Sequence, residues 1–307
     1  MRVAVTGANG RLGRALIAAL EDAPFTGPMG PIAWTRAEVD LDLVDEAAVA
    51  RLLQRDRPEV VIHAAAWTDV DGCAREPARA TRRNGDATGA LARACAAGGV
   101  DLVAVSTNEV FDGTRTDGQG YRPDDGRSPA NPYGASKADG ERQAWTAYEN
   151  ADARVAITRT TWLHGPPGND FPEKIARAAL RARDAGEPLR VVGDEIGTPT
   201  YTRDVADAIV ELLAEDAITE IPARQAIHHL VNGGRATRAA WAREILRATA
   251  IGVEVEEVPS STWPRASTPP LWAVLEPTPL PSGEPMRHWR DAFADAVPAL
   301  RRVLLKG

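Results

Sequence analysis

Residues 2–20 read RVAVTGANGRLGRALIAAL. Residues 2–6 are a short apolar and β-branched run, the composition of a buried strand. The run enters Gly7, Gly10 and Gly13 at three-residue spacing. Leu12, Leu16, Ile17 and Leu20 then recur at helical intervals, which gives the next segment one buried face. Strand, glycine turn and helix in this order suit a dinucleotide. Glycine permits the tight turn, lets backbone approach a pyrophosphate, and lets helix pack closely on strand. A mere tight turn is the competing reading, and the position between strand and helix weakens it.

Outward from this unit the pattern repeats. Strands are expected at 31–35, 59–63, 101–106, 154–158 and 227–231, with helices at 44–54, 76–97, a segment ending near Asp184, and one starting at Thr237. The alternation predicts an α/β fold, a Rossmann-like doubly wound parallel sheet with a smaller C-terminal substrate-binding lobe. Residues 1–160 are expected to form the cofactor domain, with about 194–216 returning to it, and 161–307 mainly the lobe. Eight prolines between Pro259 and Pro285 exclude continuous helix or central strand there. That segment is expected to be an irregular loop that wraps the lobe or closes over a ligand.

With 36 basic against 43 acidic residues, the net charge of −7 argues against a nucleic-acid or anionic-membrane surface. Cys73 and Cys95 show neither CxxC spacing nor a nearby histidine cluster, so disulfides and structural zinc are not expected. No apolar run is long enough to span a bilayer, and no basic leader precedes the first strand. A soluble cytoplasmic protein is the expectation.

The chemistry is concentrated between Val105 and Lys137, where VSTNEVFDG leads through a polar loop to NPYGASK. Tyr133 and Lys137 stand four apart just after Asn131 and Pro132, so a helix begun there carries both on one face. A free phenol keeps its proton until about pH 10; an ammonium beside it favours the phenolate and equips the pair for proton transfer. Thr107, at a strand end, can bond the same oxygen that Tyr133 protonates. Elsewhere, Thr35 and Arg36 stand where an NAD-preferring fold offers an acid to the ribose, so Arg36 favours a 2′-phosphate, or, with Glu38 close behind, is a solvated arginine at a strand end. Asp42 and Leu43 can flank an adenine, or serve as a cap and a core residue. Asn84, in mid-helix, has low helix propensity and suits a hydrogen-bonding role, with an exposed asparagine as the simpler alternative.

With TGANGRLG, AAAWTDVD, STNEVFDG, NPYGASKADGE, RTTWLHGPPGNDF and DEIGTPTYTRDVADAI in this order, the sequence resembles the extended short-chain dehydrogenases, and more closely the dTDP-4-dehydrorhamnose reductase family. The resemblance implies reduction of the C4 ketone of an NDP-4-keto-6-deoxyhexose by NADPH or NADH, with Tyr133 as proton donor, Lys137 lowering its pKa and holding the nicotinamide ribose, and Thr107 orienting the keto oxygen. It places cofactor contacts on Gly10, Arg11, Leu12, Asp42, Leu43, Ala66, Trp67, Thr68 and Val105. Sugar-nucleotide contacts fall on Val70, Thr107, Asn108, Trp162 and Asn169. The family often has Asp-Tyr where this chain has Asn108 and Glu109, and Tyr where it has His164, which leaves the hexose open. Some members hold Mg²⁺ at a dimer contact made by glutamates; no such cluster can be placed here, and no metal is expected, while a homodimer stays open. Two alternatives stand beside the reductase: an epimerase or dehydratase that keeps its NAD bound, and a catalytically silent Rossmann subunit.

Overall fold

In a computed structural model, residues 1–214 and 225–305 are described. Strand β1 (Val3–Thr6) is buried along its whole length. It lies parallel between β2 (Ile32–Trp34) and β3 (Val60–His63). β4 (Asp101–Thr107) and β5 (Val155–Thr160) extend the sheet past β3. Four short strands follow in the lobe, β6 (Leu163–His164), β7 (Leu189–Val192), β8 (Ile196–Gly197) and β9 (Thr200–Tyr201). β10 (Gln225–His229) then returns to pair with β5. The resulting parallel sheet has the order β10-β5-β4-β3-β1-β2. Its direction of winding reverses between β1 and β3, and open α/β sheets bind their ligands beyond the strand ends at such a point.

Alternate residues of β1 serve opposite faces, as pleating requires. Val3 and Val5 join Leu16 and Leu20 of helix α1 (Arg11–Glu21) in one core, to which Val205, Ile209 and Leu212 also belong. Ala4 faces the second core, with Val49 of α2 (Glu46–Asp56), Leu91, Leu102 and Tyr148. The sequence reading made 76–97 a single helix and left 70–75 unassigned. The structure has α3 (Val70–Arg75) capped by Asp69, then α4 (Pro77–Ala80), a π turn at Thr81–Asp86, and α5 (Ala87–Ala97). The wider turn carries Asn84, and such insertions re-aim side chains.

α6 (Pro132–Tyr148) lies on the same face as α5. The second lobe is built from α7 (Phe171–Ala185) with the helices Arg238–Thr249 and Trp289–Leu304, around Trp241, Ile245, Trp289 and Phe293. α8 (Thr202–Ala214) leaves the lobe to pack against α1. Of the segments assigned from sequence, 215–216 and 306–307 lie outside the described residues. The sheet also draws its edge strand from Gln225–His229.

The proline-rich segment is irregular, with a 3₁₀ turn at Ser260–Thr262, and it is fastened along its length. The amide and hydroxyl of Ser267 donate to Asp71, and Asn131 donates to the carbonyl of Thr268 at 3.1 Å. Backbone bonds join Trp272 to Gly113, Ala273 to Ile196, and Glu276 to Tyr121. Prolines prevent helix but leave neighbouring amides free for such contacts. The segment is a strap across both lobes.

Candidate active site

β4 ends at Thr107, and a 3₁₀ turn, Asn108–Val110, carries the chain away. Opposite it, α6 starts as the sequence reading expects: Asn131 accepts from the Gly134 amide at 2.9 Å, and Pro132 occupies the first turn. Gly134 is required by the packing, since a Cβ there would collide with the Glu109 carbonyl. This close approach brings Tyr133 to the end of β4 at Thr107, whose hydroxyl bears on the acidity of the phenol. Tyr133 is 8% and Lys137 5% exposed.

The electrostatics differ from a phenol drawn down toward neutrality. Burial, then the charge of Glu109, pushes the Tyr133 phenol above its ordinary value, with the Thr107 hydrogen bond acting in the opposite direction. Lys137 donates from Nζ to the Val105 carbonyl at 2.8 Å. Burial brings its ammonium down to about 8, opposed by Glu141. The tyrosine therefore rests protonated, as an acid must, and the lysine is the group that titrates near neutrality. If the ammonium is needed for turnover, kcat/KM is flat below about pH 8 and falls as pH rises through it. A profile flat to about pH 10, the range of a free lysine, would contradict this.

Asn84 has the hydrogen-bonding role its position suggested. Its Oδ1 accepts from the Trp67 amide at 2.8 Å, and its Nδ2 donates to the Trp67 carbonyl at 3.0 Å and to Ser136 Oγ at 3.1 Å.

A groove of about 310 Å³ lies over the glycine turn at the switch point. Of the proposed cofactor residues, Gly7, Gly10, Arg36, Ala66 and Trp67 line it. Gly7 has φ of +64°, and a Cβ on it would lie 2.9 Å from Ala65 Cα. The space is a cradle that only bare backbone leaves open. Gly13 presses against the Gly7 carbonyl.

Other candidates are engaged elsewhere. Leu12 is in the core. Thr35 donates its amide and hydroxyl to Glu38 at 2.8 and 2.7 Å. Asp42 receives Arg83 Nε at 2.5 Å, which holds its carboxyl down to about 2, and Leu43 is 78% exposed. Val39, Asp40 and Leu41 line the groove at that point instead. Arg36 is free enough to meet a ligand, 76% exposed and 3.5 Å from Asp40. Arg11 crosses to the other lobe, donating to the carbonyls of Gly165 and Gly168 and lying 3.2 Å from Asp170.

A second pocket, about 650 Å³, opens between the lobes beside Thr107. Arg11, Thr68, Val70, Asn108, Trp162 and Asn169 line it, so every proposed sugar contact except the buried Thr107 reaches it. Trp162 and Asn169 have left-handed backbones, φ +43° and +56°. Glu109, marked with Asn108 as a departure at the sugar pocket, lines the same wall, and sequence reading missed Glu195, Arg238 and Arg265 there. Glu195, 2% exposed, lies 2.7 Å from Arg265 and 3.3 Å from Arg238. Arg238 stacks 3.5 Å above the Trp162 ring, and burial, opposed by Glu195, brings its guanidinium down to about 10. A weak signal was present, because Arg265 is the single basic residue between Pro259 and Pro285. His164 is away from this pocket. It is fully buried against Tyr201, Trp241 and Phe293.

Among the described residues, no group of three or more His, Cys, Asp or Glu is placed to hold a metal ion, and no helix is long and apolar enough to cross a membrane.

The family model described as RmlD substrate binding domain matches residues 1–302. A dTDP-4-dehydrorhamnose reductase of Streptomyces griseus is 36% identical over 299 residues, covering 96% of this chain and 93% of that protein. A crystal structure of a Clostridium acetobutylicum dTDP-4-dehydrorhamnose reductase superposes with a TM-score of 0.85 at 28% identity, covering 100% of both chains. The Bacillus anthracis dTDP-4-dehydrorhamnose reductase, solved in complex with NADP, gives 0.81 at 28% identity, covering 100% of this chain and 99% of that one. On this match and on the fold and site it accompanies, the chain belongs to the dTDP-4-dehydrorhamnose reductase family of oxidoreductases.

Proposed function

We propose that this protein reduces the C4 ketone of a dTDP-linked 4-keto-6-deoxyhexose, dTDP-4-dehydrorhamnose, to the alcohol, with NADPH as the favoured reductant and NADH as the lesser one. The observation that carries the reading is the placing of Tyr133 and Lys137, both buried and one turn apart on α6, against the end of β4, where Lys137 bonds the Val105 carbonyl and Thr107 closes the strand next to the pocket-lining Asn108. The nicotinamide cofactor, bound in the groove, supplies the hydride. Thr107 and Tyr133 hold the keto oxygen, Tyr133 gives its proton to the developing alkoxide, and Lys137 stabilises the phenolate that remains. The small residues Ala64, Ala65 and Ala66 beside Gly7 suit a flat dinucleotide.

On the substrate side, Arg238 and Arg265 flank the buried carboxylate of Glu195, and with Arg11 and Lys174 on the same pocket they offer cations to a diphosphate beside the carboxylates of Asp69, Asp71 and Glu109. Trp162 lines the same pocket, with its ring under the Arg238 guanidinium. A panel of dTDP-, UDP- and GDP-linked 4-keto sugars with both reduced cofactors tests the assignment. The dTDP sugar with NADPH is expected to give the highest kcat/KM. No reduction of any member would remove the reading. Arg36→Ala should raise the KM for NADPH by roughly tenfold or more, the scale of one charge-assisted hydrogen bond, with little change for NADH. Equal changes for both cofactors would remove Arg36 from 2′-phosphate recognition.

A further inference from the structure

Behind the cofactor groove, at the end of β3, His63 is 1% exposed and takes no part in the chemistry above. Its neighbours determine its proton. Thr88 Oγ1 donates to the Asn84 carbonyl at 2.8 Å. A hydroxyl has one proton to give, so toward His63 Nε2, 3.1 Å away, the same oxygen is an acceptor and Nε2 carries hydrogen. In a neutral ring Nδ1 is then the acceptor, and Thr6 Oγ1 donates to it at 2.8 Å. Thr6 Oγ1 in turn accepts from the Ala65 amide at 3.1 Å. Burial, and then the Lys137 charge, oppose a second ring proton and bring His63 down to about 3. Beyond Thr88, Asn84 grips both polar groups of the Trp67 backbone and donates to Ser136 Oγ, which donates to the Tyr133 carbonyl at 2.7 Å.

We infer that His63, held as the Nε2–H tautomer, is a positioning residue for the cofactor: a directed chain of buried hydrogen bonds runs from the groove wall at Ala65 through Thr6, His63 and Thr88 to the backbone of Asn84, the residue whose side chain separately holds Trp67 and Ser136. The five side chains concerned, Thr6, His63, Thr88, Asn84 and Ser136, are all 3% exposed or less. Buried networks satisfied at each member are rigid, and removing one member leaves the others without partners. The wall from Ala64 to Trp67 is loop, with no ladder of its own to hold it. Its position against Gly7 depends on this chain. The inference rests on the reading that the groove holds NADPH.

The experiment uses the full-length protein. NADPH titration is expected to show a Kd raised at least about tenfold in His63→Leu, since two hydroxyls then lose buried partners. His63→Gln, which can both accept and donate, should recover most of the affinity. In kinetics the KM for NADPH should rise by a larger factor than kcat falls. Thr88→Val, which removes the same link from the other side, should reproduce the loss and serves if His63→Leu does not fold. Nitrogen NMR of the wild-type ring decides the tautomer without any variant: Nε2–H supports the inference and Nδ1–H overturns it. Wild-type NADPH affinity in folded His63→Leu or Thr88→Val also overturns it, even if their melting temperatures fall. If the wild-type protein itself does not bind NADPH, it is the functional reading that fails.

Discussion

Tyr133→Phe is expected to lower kcat for the ketone reduction by roughly 10² to 10⁴-fold, the usual contribution of a general acid. The ring packs against Cys73 and Ala80, and phenylalanine keeps those contacts. The deleted atom is the phenol oxygen, whose acidity Thr107 affects and which is proposed to hold the proton for the nascent alkoxide. NADPH affinity should barely move, because the loss is confined to the transition state. Lys137→Ala should behave differently. Its ammonium is proposed to serve both the phenolate and the nicotinamide ribose, so kcat and the KM for NADPH should worsen together. Steady-state kinetics of both variants check the division of roles, and near-wild-type turnover by Tyr133→Phe would make the tyrosine a structural aromatic.

The largest expected loss of stability comes from Arg159→Met, at about 3 kcal/mol, the lower end of the cost of stripping a buried charge of its partner, since Arg127 stays 3.4 Å from Glu141. Arg159 on β5 and Glu141 on α6 are 1% and 2% exposed, and they meet through two hydrogen bonds of 2.9 and 2.8 Å. Ser106 Oγ adds a third bond to Glu141 at 2.5 Å. Glu141 stands one helical turn beyond Lys137, so the pair fixes α6 to the sheet. The methionine fills most of the arginine's volume, which separates lost charge pairing from a cavity. Equilibrium denaturation measures the difference, and a loss under about 1 kcal/mol, the scale of an exposed pair, would show that the surroundings relax to admit water. The double variant Arg159→Met, Glu141→Leu should recover much of the deficit, since apolar replacement of both partners removes the stranded charge.

Residues whose roles depend on local geometry were the ones legible in the chain. The glycines at 7, 10 and 13 make a turn that only their spacing permits, and Tyr133 and Lys137 share a helix face whatever surrounds them. The fold followed from the same local periodicities, and its sheet is the expected parallel one. Side chains with distant partners were not legible. Asp42 is held by Arg83 and Arg11 by the Gly165–Asp170 loop, and neither pairing leaves a mark at its own position. The group of Glu195, Arg238 and Arg265 is assembled from three separate segments. The π turn at Thr81–Asp86 was read as ordinary helix because one extra residue per turn hardly disturbs an apolar pattern. The proline strap was recognised as irregular, but its fastening to Asp71 and Asn131 depends on backbone groups, which carry no sequence signal.

The central claim, net reduction of a sugar ketone, is tested most directly by stoichiometry in a single reaction: NADPH oxidised against dTDP-4-dehydrorhamnose consumed and dTDP-linked 6-deoxyhexose formed. The account predicts a ratio of one to one to one, with no nicotinamide retained by the protein at the end. An enzyme that converts the sugar while NADPH stays constant, on NAD it keeps bound and restores each cycle, would be an epimerase or dehydratase, and that result would contradict the reductase assignment.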